Sequence, residues 1–276
     1  MKGIELYAPR HPRHRRTWTL AALVLAVVFI AGIVILWVTL FERRGLATIG
    51  FNGAGPKRFL RGYAVGLAFL VAVVGVIWAL GGYRIEAGGA FATANVGAAL
   101  IPIVVLMLGF VIQGSTEEIL TRGWLMQVIA SRHGLAWGVG LSSMLFGLLH
   151  ASNIDPSPEL LTGVLNVVLF GVFIGVYAAR EGSLWGVCGW HAAWNWLLGL
   201  GFGLEVSGHV IDSTPLVVDL GTQTTVPWWV TGAAFGPEGS VVTTAVLLIG
   251  TAVLILKGRT RDFGVVEDKA PATPVD

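Results

Sequence analysis

Apolar stretches long enough to cross a lipid bilayer recur along this 276-residue sequence and restrict what it can fold into. The first, residues 18–41, would form about 36 Å of helix, more than the roughly 30 Å hydrocarbon core of a bilayer. Hydrophobic residues make up 55% of the chain and charged residues only 12%, proportions that exclude an ordinary soluble domain. The sequence therefore predicts an all-α fold, a polytopic bundle of transmembrane helices.

Seven further apolar segments follow and give a preferred count of eight spans. They occupy residues 62–80, 96–111, 115–130, 135–150, 160–179, 184–203 and 240–256. The count falls to seven if 96–130 forms one broken helix instead of two helices that are separated at Gly114. The choice between the two counts therefore depends on the conformation of the chain at Gly114.

Basic residues predict which loops face the cytoplasm. The segment 204–239 contains no Lys or Arg, so the positive-inside rule places it outside, and Lys257 holds the following segment inside. Eight spans then leave the basic segment 42–61 outside, whereas seven spans put it inside and the basic arm 1–16 outside. Each count therefore leaves one basic segment on the outside, against the positive-inside rule. The preferred interpretation is eight spans, with 42–61 lying in the membrane interface.

The sequence indicates a single bundle over residues 17–258, preceded by the basic arm 1–16 and followed by a disordered tail, 259–276. The net charge of +2 is too small to indicate nucleic-acid binding. The expected partner is the lipid bilayer, and the expected location is the cell membrane. The single cysteine, Cys188, excludes an intramolecular disulfide and is interpreted as a small buried hydrophobic residue.

Charge enters the apolar segments at one place. Between residues 90 and 130 the only ionisable groups are Glu117, Glu118 and Arg122. A charge at mid-bilayer costs from about 3 to more than 10 kcal/mol, so these groups are functional candidates. Glu118 and Arg122 are spaced i, i+4 and are predicted to pair, while Glu117 points about 100° away and stays available for chemistry. Ser115 and Glu118 also resemble a capping box that would start a helix after Gly114.

Two later helices carry the remaining polar candidates. His150 lies near the end of one apolar segment, and His191 and Asn195 lie four residues apart on another, so they share a helix face. Helices of a bundle can bring such side chains together with Glu117. A carboxylate and an imidazole can activate water, and an amide or imidazole can stabilise an oxyanion. The set therefore resembles a hydrolase site within the bilayer, without the HExxH pattern of zincins.

Three short motifs occur in order on successive apolar segments: EEILTR at 117–122, FGLLH at 146–150 and HAAWN at 191–195. Together they resemble the CPBP family, the CAAX-protease and bacteriocin-processing intramembrane proteases, also called Abi or type II CAAX proteases. The similarity covers roughly 114–198, and the preceding GSLWGVCGW resembles the family pattern as well. Thr121 departs from the family, which usually has an aromatic residue there, and this departure is expected to affect packing more than chemistry.

The resemblance implies an intramembrane endopeptidase that acts on a peptide or membrane-protein substrate. It implies that Glu117 is the catalytic base and shares the water with His150, and that His191 and Asn195 form the oxyanion site. The implied supporting residues are Glu118, Arg122 and Phe146. The family is described as metalloproteases, so zinc is one option, held by Glu117, His150 and His191. Metal-free activation of water by the same residues is the other.

Other functions also fit parts of this pattern. A Glu-Glu-Arg cluster in a membrane helix can be a structural ion pair or part of an ion path. The alternatives to a protease are a non-catalytic scaffold or immunity factor on the same fold, and a proton-coupled transporter that uses Glu117 and Glu118. His191 with Asn195 could equally be a hydrogen-bonded contact between helices.

Overall fold

The computed structural model describes residues 28–258 of the chain. The predicted arm, the beginning of the first predicted span and the predicted tail lie outside the described residues. Within them the all-α prediction is confirmed, with one small sheet in addition. The elements are α1 (Val28–Phe41), α2 (Gly55–Ala79), β1 (Tyr83–Gly88), α3 (Val96–Glu118), α4 (Met126–His133), α5 (Leu135–Leu148), α6 (Pro158–Glu181), α7 (Trp185–Trp196), β2 (Val218–Thr222), α8 (Trp228–Thr231) and α9 (Val241–Leu256).

Three helical stretches are long and apolar enough to cross a membrane: Gly55–Ala79, Val96–His133 and Pro158–Glu181. Three shorter apolar helices, α1, α5 and α9, accompany them. Helix α7 lies at the centre, because every residue from Gly186 to Asn195 is buried, and it continues as a π-helical turn, Leu197–Gly201. These features confirm the prediction of a helical membrane bundle.

The separation of two helices at Gly114 is wrong. Asn95 caps α3, accepting a hydrogen bond from the backbone of Ala98, and the helix runs through Gly114. It continues as a π-helical segment, Ile119–Leu125, into α4. Ser115 therefore lies inside the helix and is not an N-cap residue. A Cβ at Gly114 would lie 3.2 Å from Cγ of His191, so this glycine allows two helices to approach closely and does not end one.

Glycines also set the approach of α2 to α7. A Cβ on Gly62 would overlap the carbonyl oxygen of Gly186, and one on Gly66 would lie 3.0 Å from Cα of Trp190. In return, Gly189 of α7 faces the backbone of Phe59. Small residues at such contacts let helix backbones meet in a membrane, where packing is the main force that holds helices together. The contact fixes the depth of α7, and thus of His191, in the bundle.

The connections 81–95 and 204–239 contain the two strands of an antiparallel sheet. Strand β1 pairs with β2 from Tyr83 opposite Thr222 to Gly88 opposite Val218, with a bulge between Ile85 and Ala87. Because strands pair only when they lie together, these two connections must be at the same end of the bundle.

Contacts between connections divide the bundle into two ends. At one end, the amide of Leu184 donates to the carbonyl of Gly50, and Asn52 donates to the carbonyl of Gly182. At the other end, Asn153 donates to the carbonyl of Ser207, close to the sheet's own connection. The basic segment 42–54 therefore lies at the same end as the turn 181–184. This arrangement follows the seven-span alternative, which puts 42–61 on the same side as Arg180.

Candidate active site

A buried ion cluster connects the motif helix to α7. The predicted pair is present, with Nη1 of Arg122 3.3 Å from Oε1 of Glu118, and both side chains are 0% exposed. The same oxygen lies 2.8 Å from Nδ1 of His191. A buried carboxylate with two cationic or hydrogen-bonding partners is far less costly than an isolated one. Glu118 therefore orients the His191 ring, because it holds Nδ1 and leaves Nε2 available for another contact.

Three neighbours hold the Arg122 guanidinium in place. It lies 4.6 Å above the ring of Phe146, a cation–π contact, and Nη1 donates to Oγ1 of Thr121 at 2.7 Å. Thr121 in turn donates to the backbone carbonyl of Glu117 at 2.5 Å. A Cβ at Gly171 would lie 2.9 Å from Nη2, so α6 closes the remaining side. Thr121 thus belongs to the polar network around Arg122.

Glu117 belongs to a second hydrogen-bonded chain. Its Oε1 accepts from Nε2 of Gln113 at 2.6 Å, and Oε1 of Gln113 accepts from Nδ2 of Asn195 at 3.0 Å. The amide of Gln113 therefore joins the carboxylate to the carboxamide across two helices. Asn195 keeps one N–H free for another acceptor, since only one of its two donors is used.

The free oxygen of Glu117 faces His191. Oε2 of Glu117 is buried and has no hydrogen-bond partner within the described residues, although the side chain as a whole is 27% exposed. It lies 3.6 Å from Nε2 of His191, beyond direct hydrogen-bonding distance. A small polar molecule beside the two atoms can contact both of them. The pair thus forms a partly accessible carboxylate and imidazole at the edge of the buried cluster.

His150 is connected to this pair through aromatic rings. Its Nδ1 lies 2.9 Å from the carbonyl of Phe146, and the two rings are 4.9 Å apart. Phe146 also meets His191 edge-to-face at 6.2 Å. If Nδ1 of His150 carries the proton that the carbonyl accepts, Nε2 is left as an acceptor. Among the predicted residues, Glu117, His191 and Asn195 are thus joined by polar contacts, and His150 is adjacent through Phe146.

Glu117, His150 and His191 are the residues that would hold a metal. Within residues 28–258, no group of three or more His, Cys, Asp or Glu side chains is arranged to hold a metal ion. Nδ1 of each histidine is already occupied by a carboxylate or a carbonyl, so Nε2 would have to serve as the ligand. The three residues therefore do not form a three-ligand set here.

The π-helical segment follows the two glutamates directly. Such segments add a residue to a turn, are rare, and are often found at functional sites. Here it changes the direction of the helix surface between Glu118 and α4. Within this segment, Trp124 donates to Oε1 of Glu42 at 3.0 Å. Burial opposes the ionisation of Glu42, but hydrogen bonds from Trp124, Arg44 and Trp37, with the charge of Arg44, keep its pKa below the ordinary value.

Three residues near the site were not singled out from the sequence. Gln113 lies one helical turn before Glu117, and that spacing could have identified it. Phe170 packs its ring 4.9 Å from the His191 ring. Glu238 accepts from Nε1 of Trp194 at 2.9 Å and from the hydroxyl of Ser207, which holds the connection after α7 over that helix. No local pattern could have identified Glu238, because its partners are distant in sequence.

The fold and the site define an integral membrane protein with a carboxylate, imidazole and carboxamide cluster between its helices. Residues 99–197 match a family model described as Type II CAAX prenyl endopeptidase Rce1-like. The match covers all three motifs, so the predicted resemblance to the CAAX-protease family is confirmed over this segment. At the level of the family, the match supports an intramembrane endopeptidase. No curated protein and no solved structure matches the chain.

Proposed function

We propose that this protein is an endopeptidase of the cell membrane that cleaves a peptide bond of a peptide or membrane-protein substrate, with Glu117 as the general base. One observation carries the proposal. Oε1 of Glu117 is held by Gln113, while the buried Oε2 has no hydrogen-bond partner among residues 28–258 and lies 3.6 Å from Nε2 of His191. A carboxylate that is held through one oxygen and has its other oxygen unpaired is suited to accept a proton from water.

The charges of the cluster support the role of His191 as a donor. Glu117 and Glu118 carry two negative charges, and Arg122 supplies one positive charge. A protonated His191 makes the group neutral, donates Nδ1–H to Glu118, and leaves Nε2–H for a developing oxyanion. The free N–H of Asn195 is the second donor. Phe146 and Phe170 pack against the imidazole ring and limit its rotation.

The proposed reaction has two steps. Oε2 of Glu117 takes a proton from water as the water oxygen bonds to the carbonyl carbon of the scissile peptide, and Nε2 of His150 accepts the water's other hydrogen bond. The carbonyl oxygen becomes an oxyanion beside His191 and Asn195. The proton on Glu117 then passes to the leaving nitrogen as the carbon–nitrogen bond breaks. This gives a carboxyl product and an amine product.

The test is to replace Glu117 by Gln, which preserves the size of the side chain but removes its basicity. Cells that contain the wild-type protein or the Glu117→Gln variant are compared by mass spectrometry of membrane proteins and peptides. The purified proteins are then assayed on the substrate so identified. Loss of a general base lowers rates by about 10²- to 10⁴-fold. Full activity of the Glu117→Gln variant would refute the proposal.

Glu159→Gln is the matched control, since Glu159 lies in the first turn of α6 and in none of the contacts of the site. It should cleave at the wild-type rate. A scaffold or immunity factor should keep its function in at least one of Glu117→Ala, His150→Ala and His191→Ala. A transporter should move a substrate in response to the proton gradient without forming a cleaved product.

A further inference from the structure

A groove of about 620 Å³ lies between α2, α6 and α9, and none of its walls belongs to the candidate active site. Its lining is apolar along most of its length, with Ala68 and Ala72 on α2, Phe173 on α6, and Val246 and Ile249 on α9. The volume falls in the range of ligand pockets, about 300–1,000 Å³. Ala72 and Ile249 are exposed on the surface of the helices, so the groove opens sideways into the bilayer.

One end of the groove is basic. Arg61 lines it there, and the Arg61 side chain is 61% exposed even though one nitrogen contacts Glu181. Arg180, next to Glu181, donates to the carbonyls of Leu254 and Gly258 at the end of α9, and Leu254 also lines the groove. Lys257 follows on the exposed surface. Three cations therefore lie at this end of the groove: Arg61 pairs with Glu181, Arg180 bonds to the end of α9, and Lys257 follows that helix.

The positions of the charges and the apolar walls match a lipid. The basic end is the end that carries the basic segment 42–54, which the positive-inside rule assigns to the cytoplasmic leaflet. From Arg61 to Ala72, α2 rises about 16 Å, comparable to an acyl chain that extends inward from a headgroup at the surface. Basic pockets between membrane helices on the cytoplasmic side bind anionic headgroups.

We propose that this groove binds an anionic phospholipid, with its phosphate at Arg61 and an acyl chain along α2 and α9. The bound lipid fills the gap between α2 and α9, which contact each other at few places. Helix α9 approaches α2 closely at Gly250, where a Cβ would lie 2.8 Å from the ring of Phe69. Away from that point the groove separates the two helices. The inference is independent of catalysis, because it involves no residue of the active site.

The test uses the full-length protein, purified in detergent and stripped of native lipid. Phosphatidylglycerol and phosphatidylcholine are added in equal amounts, and bound lipid is measured by native mass spectrometry. We expect one phosphatidylglycerol per chain, at least fivefold preferred over phosphatidylcholine. Ala72→Phe fills the groove from an exposed position and should reduce this binding at least tenfold. Val71→Phe adds bulk beside it, at a residue that is 53% exposed and outside the groove, and should bind as wild type does.

The headgroup contact is tested separately. The double variant Arg61→Gln/Glu181→Gln removes both ends of the ion pair, so that no buried charge is left alone, and should lose the preference for phosphatidylglycerol. If that variant does not fold, Lys257→Gln, at an exposed position, should weaken the preference. Glycerol phosphate, which has no acyl chains, should not compete. Equal binding of both lipids by the wild type, unchanged binding in Ala72→Phe, or competition by glycerol phosphate would overturn the proposal.

Discussion

Gln113 is the residue whose role in the site can be tested most sharply. It donates to Glu117 and accepts from Asn195, so both proposed catalytic groups depend on one amide. A hydrogen bond to a charged group contributes about 1.5–3 kcal/mol. Gln113→Leu should therefore lower kcat about 10- to 100-fold on the substrate identified with Glu117→Gln, with less change in KM, because it misplaces the base and not the substrate.

The control for Gln113→Leu is Gln127→Leu on the same continuous helix. Gln127 donates to the backbone carbonyl of Gly123 at 2.6 Å and makes no contact with the glutamates. It should keep the wild-type kcat. If both variants lose activity equally, Gln113 acts only on the stability of the helix, and its assignment as a positioning residue is wrong.

The hydrogen bond between Arg122 and Thr121 predicts that removal of the Thr121 hydroxyl lowers the stability of the protein. Thr121→Val preserves the shape of the side chain but leaves Nη1 of the fully buried Arg122 without its hydroxyl acceptor. An unpaired buried donor costs about 1–3 kcal/mol. Thermal or denaturant unfolding in detergent should show this loss, and Thr121→Ser, which retains the hydroxyl, should recover most of it. A Val variant as stable as the wild type would contradict the role assigned to Thr121.

The sequence predicted single residues of the site better than their connections. The Glu118–Arg122 pair follows from helical spacing alone and is present. Tertiary contacts determine the rest, because Gln113 reaches Asn195 from another helix and Glu118 reaches His191 across 73 positions in the chain. Spacing along one helix cannot reveal partners on a second one. The catalytic roles of Glu117, His150, His191 and Asn195 remain predictions that the proposed variants test.

At the scale of elements, the close contact between α2 and α7 predicts that alanine substitutions at Gly62 and Gly75 change the stability of the protein differently. Gly62→Ala would drive a Cβ into the backbone of Gly186, so one helix must shift. Overpacking of this kind costs about 1–3 kcal/mol, and more where backbone is the obstacle. Gly75→Ala, on the same helix, meets nothing within 4 Å and should be neutral or stabilise by up to about 1 kcal/mol.

Unfolding in detergent measures both glycine variants under the same conditions. The Gly62→Ala variant should also lose activity, because the contact sets the depth of His191 beside the glutamates. Equal stability of the two variants would show that α2 and α7 are not in the close contact described. The same rule explains the continuous helix at Gly114: this glycine faces the buried His191 ring, so it allows a close approach of two helices, whereas its local sequence alone predicts a helix end.

At the scale of the whole molecule, the sheet decides which loops share a side of the membrane. Strand β1 lies between α2 and α3, and β2 lies in the segment without Lys or Arg, which is predicted to be outside. Eight spans would place β1 inside and β2 outside, which their pairing forbids. The apolar stretches predicted the bundle, but hydropathy could not predict the sheet, because its strands are short and distant in sequence.

Cysteine labelling can test this topology. In a Cys188→Ala background, Ala87→Cys in β1 and Lys57→Cys at the start of α2 each introduce one exposed thiol. A membrane-impermeant maleimide applied to intact cells should label Ala87→Cys, and should label Lys57→Cys only after the membrane is permeabilised. Eight spans require the reverse labelling pattern, because that count places β1 inside and the segment with Lys57 outside. Because β1 pairs with β2, the two strands must lie on the same side of the membrane, so that result would contradict either their pairing or the outward placement of 204–239.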